Sequence, residues 1–148
     1  MATRGVARYG KKALNQVLQQ VSGRDPGLAS GALFVIRDML EFRLVSDPDS
    51  LLKIKNALRS ALVRKEFEVR ESALWVIEYL ADREEFVPTI KEIAEHDPLT
   101  LPGKPDDGGD GGKFYPLRQN ARRSLRMIAN HQWPPIDKVL SSDQVSPH

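Results

Sequence analysis

The stretch Val69–Ile93, VRESALWVIEYLADREEFVPTIKEI, decides the reading of the fold. Val69, Ala73, Val76, Ile77 and Leu80 fall at i, i+4, i+7, i+8 and i+11, an apolar stripe of helical period. Ala73 places a small side chain mid-stripe, where a partner helix can come close. Asp82-Arg83-Glu84-Glu85 breaks the pattern, and a second stripe follows at Phe86, Val87, Ile90, Ile93 and Ala94. Pro88 suits only a first helical turn, where its missing N–H has no intrahelical partner to lose. The stretch predicts helix, tight turn, helix.

Both flanks read as variants of this hairpin. Upstream, residues 28–45 are the most apolar segment, with apolar side chains around more than half of a helix, which predicts a helix sandwiched between neighbours. Ser46-Asp47-Pro48-Asp49 ends it and offers Asp47 or Asp49 as the N-cap of a helix over 49–63. Downstream, Leu117-Arg118, Ala121, Leu125 and Ile128 repeat Val69-Arg70, Ala73, Ile77 and Leu80 at a constant offset of 48 residues. Trp133-Pro134-Pro135 echoes the Pro88 region one residue out of step, and Ile136, Val139 and Leu140 suit a last short helix.

Val6–Val21 carries an amphipathic pattern bordered by Arg4, Arg8, Lys11 and Lys12. With Arg24, residues 1–24 hold five basic and no acidic side chains, so +5, whereas residues 25–148 hold 17 basic and 20 acidic, so −3. A capping helix is the favoured reading of this start. A transit peptide, or an arm for an anionic surface, is the alternative.

The run Val69-Arg70, Ala73, Ile77, Leu80, Asp82, Pro88 resembles the HEAT-repeat family, in the form also found in bilin-lyase-type repeats. The resemblance implies an all-α, short right-handed α-solenoid of about three helical hairpins. The expected organisation is a capping helix over 1–24, repeats over 28–65 and 67–96, a Gly/Asp-rich loop over 97–116, a partial repeat over 117–140 and a tail over 141–148. Interior repeats of such an array bury their faces on their neighbours, and terminal ones need a polar outer face. Self-stacking of a short array end to end is a further expectation.

The chemistry is sparse. Zero cysteines exclude disulfides, thiolate nucleophiles and cysteine-held metals. His96, His131 and His148 share no i, i+3 or i, i+4 spacing that would place two metal ligands on one helix. The HEAT-like deoxyhypusine hydroxylases hold iron on His-Glu dipeptides, and this chain has none. No metal, cofactor or catalytic residue is therefore expected. No apolar run approaches the ~20 residues of a membrane span, so a cytoplasmic location without membrane insertion is the default.

Three groups of residues are candidates for binding. Asp106, Asp107 and Asp110 stand in DDGGDGGK, which lacks both the phosphate-loop pattern and the closing Glu of a calcium loop. A surface insertion is the simple reading, and a partner-ordered binding loop or cation site the sharper one. Arg118, Arg122 and Arg126 run i, i+4, i+8 with Lys55 and Arg59 adding charge on an earlier helix. Like charges so spaced call for compensation by neighbouring acids, an acidic partner or a nucleic acid. HEAT-like DNA glycosylases of the alkylpurine class use such basic surfaces, although here Glu92 and Glu95 interrupt one. Trp75 and Tyr79 lie on the flank of their helix, as inter-repeat packing or as a partner anchor. The expected function is a non-catalytic protein-interaction scaffold with an unidentified protein partner. Nucleic-acid or other anionic-ligand binding is the alternative, and an accessory subunit of a bilin-lyase-like enzyme is the distant one.

Overall fold

The structure, a computed structural model, describes residues 2–101 and 114–130, with backbone alone for 2–9 and 11. These residues form six α-helices: α1 (Ala2–Val21), α2 (Pro26–Glu41), α3 (Pro48–Leu62), α4 (Phe67–Ile77), α5 (Val87–His96) and α6 (Pro116–Ala129). The fold is all-helical, apart from one isolated bridge in which the Leu101 N–H donates to the Phe114 carbonyl at 3.0 Å.

The helix boundaries follow local chemistry. Asp25 caps α2 by accepting from the Gly27 and Leu28 N–H groups at 2.9 and 3.3 Å, and Asp47 caps α3 by accepting from Ser50 N–H at 3.1 Å. Proline occupies the first turn of α2, α3, α5 and α6, where it costs no hydrogen bond and presets φ. Pro88 thus stands in the first turn of α5, preceded by a 3-10 turn over Arg83–Phe86. The helix expected to run to residue 45 stops at Glu41. Arg43 there takes the left-handed conformation (φ 55°), and Leu44 N–H reaches back to the Met39 carbonyl at 2.8 Å, the backbone pattern of a Schellman stop.

Packing arranges α2, α4 and α6 in one row, α4 touching both others. Against this row, α1 packs on α2, α3 on α4 and α5 on α6, and α1 also touches α3. The stripe Val69, Ala73, Val76, Ile77 and Leu80 is at most 1% exposed, and Leu74 on the opposite flank is fully buried as well. The sandwiched helix is therefore α4 rather than α2, whose Leu28 and Val35 remain 59% and 44% exposed. Leu117, Ala121 and Ile128 of α6 are buried and Leu125 packs against the same core.

The rungs between row members correspond in position. Ser30 and Ser72 join α2 to α4 through a 2.6 Å hydrogen bond, and Asn120 on α6 donates to Glu71 on α4 at 3.0 Å. At Gly10 a Cβ would stand 3.0 Å from the Leu44 carbonyl oxygen, so α1 approaches the end of α2 backbone to backbone. Among the described residues no helix is long and apolar enough to cross a membrane.

Candidate functional site

Of the expected binding residues that the structure describes, Lys55, Arg59, Trp75, Tyr79 and Arg118 are engaged within the chain. Lys55 donates to Asp82 at 2.6 Å and to Glu85 at 3.0 Å, and these hydrogen bonds hold its ammonium above the usual lysine range. Arg59 stands 3.5 Å from Glu85 with its guanidinium 4.8 Å over the Phe86 ring. Burial pushes the Asp82 carboxyl up, but hydrogen bonds from Lys55 and within the turn outweigh it, and the net direction is down. This cluster pins α3 to the 3-10 turn.

Trp75 and Tyr79 pack across the α2–α4 rung. The Trp75 ring lies tilted on Phe34 at 5.7 Å between centroids, and the Arg37 guanidinium sits over Phe34 at 5.2 Å and over Tyr79 at 5.9 Å. Burial, then the charge of Glu41, raises the Tyr79 phenol. Both side chains are half-buried.

The arginine stripe divides. Arg118 donates through Nε to the Asp97 carbonyl at 2.7 Å and stacks 3.8 Å over the Tyr115 ring. Arg122 and Arg126 are exposed, with no ion pair or hydrogen bond to a described residue. Asp106, Asp107 and Asp110, the hairpin expected around Trp133 to Leu140 and the 141–148 tail lie outside the described residues.

A device that charge periodicity alone does not show is the use of arginine at helix ends. Arg64, Arg70 and Arg118 donate to the carbonyls of Val21, Leu62 and Asp97 at 2.7, 2.9 and 2.7 Å. Val21 and Leu62 are the last residues of α1 and α3, whose end carbonyls lack intrahelical donors and carry the negative pole of the helix, and Asp97 is the extended residue that follows α5. Arg70 also pairs with the Asp97 carboxylate, which is 2% exposed. A second buried carboxylate, Glu78, accepts from Ser124 Oγ at 2.5 Å and from Arg123 at 3.0 Å, joining α4 to α6. Neither acid stands out in the sequence.

A groove of about 730 Å³ opens between the C-terminal halves of α1 and α3. Leu18, Val21, Ala57 and Ala61 form its apolar wall, and Asn56 and Ser60 its polar edge. The side chains that α3 contributes to it, Ala57, Ser60 and Ala61, are small. Arg24 and Lys65 border it, both exposed and without a hydrogen bond or ion pair to a described residue. Arg64, also in the lining, is held by Val21 O and by Glu66 at 3.0 Å, which lowers the Glu66 carboxyl. A second recess of about 420 Å³ shares Arg64 and Lys65 and continues toward α5, where Thr89, Glu92 and His96 line it. The volume of the first falls in the range of ligand-binding clefts.

Comparisons of the chain with protein-family models, with curated proteins and with solved structures found no match.

Proposed function

We propose that the chain is a non-catalytic protein-interaction module, a short right-handed α-solenoid of HEAT-like hairpins that holds a segment of a partner protein in the groove between α1 and α3. The carrying observation is that groove: a recess of about 730 Å³ in which Leu18 and Ala57 stay partly exposed, edged by polar and charged side chains. The row α2, α4, α6 with corresponding rungs, and the shared carbonyl-binding role of Arg70 and Arg118 at the 48-residue offset, support the repeat reading. A photo-crosslinking residue placed at exposed Ser60 is expected to capture a discrete partner from an extract of the source organism. The same residue at Glu84, in the 3-10 turn, is the control. Equal capture at both positions, or none at Ser60, overturns the proposal.

A second reading, nucleic-acid or other anionic-ligand binding, is favoured by Arg122 and Arg126, whose charges no described residue neutralises. It predicts retention on heparin that falls steeply with salt and is lost in the Arg122→Glu/Arg126→Glu variant. Flow-through of the wild-type chain at low salt ends this reading.

A further inference from the structure

We propose that the segment held in the α1–α3 groove is acidic: a short peptide carrying carboxylates beside apolar side chains, whose acidic part lies over Arg24 and Lys65. This rests on the interaction-module reading and specifies the chemistry of its partner.

The groove sets cationic borders beside a partly apolar floor. Leu18 and Ala57, both partly exposed, supply a surface that gains from contact with aliphatic or aromatic side chains, at roughly 25 cal/mol for each Å² of apolar area covered. Arg24 and Lys65 border this floor, and the remaining charges in the lining, Arg64 and Glu66, neutralise each other. The unmatched charge of the groove is therefore positive. A carboxylate placed at the Arg24 border would meet a cation with no ion pair to a described residue, and one at the Lys65 border a cation whose neighbour Glu66 is already paired with Arg64. Exposed pairs of this kind contribute modestly to affinity but strongly to encounter rate and to the choice of partner.

The same geometry argues against a nucleic acid in this groove. No residue lining it is aromatic, so an unpaired base has no ring to stack on, and two unpaired cations neutralise few phosphates. The adjoining recess sets the direction of the peptide. Glu92 lines it and has no partner among the described residues, so a chain crossing Lys65 toward α5 passes from a basic to an acidic border. The occupant should be acidic at the α1 end and neutral or basic at the α5 end.

The test is an array of short random peptides probed with the full-length chain, in the wild-type form and in two variants. The expected result is capture of peptides that combine Asp or Glu with Leu, Ile or Phe. Their affinity should fall about tenfold in Arg24→Glu/Lys65→Glu, and their binding should be lost in Ser60→Trp, whose indole occupies the groove. All three positions are exposed, and unchanged thermal unfolding of the variants confirms that the effect is on binding. Captured peptides that are basic or uncharged, yet lost in Ser60→Trp, overturn the acidic assignment and leave the groove reading in place. Peptides that bind Ser60→Trp as well as wild type, or no captured peptide, overturn both.

Discussion

Asp97→Ala is expected to lower the unfolding free energy by about 3 kcal/mol, and the melting temperature by roughly 10 °C. Asp97 follows α5 and is 5% exposed, yet it binds three ways: its carboxylate accepts from Arg70 and from the Leu99 N–H at 3.0 Å, and its carbonyl accepts from Arg118. Arg70 starts in α4 and also holds the last carbonyl of α3, so this one aspartate gathers the ends of α3, α4, α5 and α6. Alanine keeps the carbonyl but leaves the Arg70 guanidinium, whose side chain is 14% exposed, with its charge unmatched. Removing one partner of a buried pair costs far more than the pair contributes, because the surviving charge has lost its water as well. Two further variants separate the causes. Asp97→Asn retains the acceptor for Leu99 and should lose about half as much. Asp97→Ala/Arg70→Met removes the stranded charge and should recover most of the loss. Urea unfolding with an unchanged m-value is the measurement. A loss below about 1 kcal/mol for Asp97→Ala would show that water reaches Arg70 and the cluster is a surface feature.

Helices and their ends were legible in the sequence because their causes are local. Apolar spacing marked the core face of α4, Asp47 stood as a candidate cap of α3, and Pro88 fitted the first turn of α5. The partners of charged residues were not, because they lie far along the chain. Lys55 meets Asp82 and Glu85, 27 and 30 residues on, and no helical periodicity reports that meeting. Arg118 shows how two sequence signals compete. Its i, i+4 spacing groups it with Arg122 and Arg126 as a binding stripe, whereas the 48-residue offset groups it with Arg70. In the structure the two offset-related arginines both donate through Nε to a carbonyl at or just beyond the end of the preceding helix. For Arg118 the 48-residue offset, rather than charge periodicity within its helix, matches the contact it makes. The groove was hidden as well. It depends on how α1 lies beside α3, a placement of segments far apart in the chain that no local pattern reports.

Glu78 carries the second large prediction, because its carboxyl is buried between α4 and α6 and 1% of the residue is exposed. Glu78→Ala should cost about 2 kcal/mol, since the fully buried Ser124 hydroxyl loses its acceptor and a small cavity remains. Glu78→Gln keeps a carbonyl for Ser124 and removes the charge, so its effect turns on which force dominates at the site. Burial raises the Glu78 carboxyl above the usual carboxylate range, against the opposing pull of Ser124, Arg123 and Arg83. An acid whose folded value is raised binds its proton more tightly in the native state than in the unfolded one. Its contribution is then fully present below the ordinary carboxylate range and is lost as pH rises through the raised value. Asp82 and Glu66, whose values are lowered, tilt the whole-chain profile the other way, so the difference between the variant and the wild type isolates Glu78. Urea midpoints measured between about pH 4 and pH 8 should show Glu78→Gln gaining on the wild type as pH rises. A difference that instead moves against the variant with rising pH would mean that the 3.0 Å contact to Arg123 outweighs burial. The α4–α6 junction would then be an ion pair that favours the charged acid, and its stability would rise rather than fall toward neutrality.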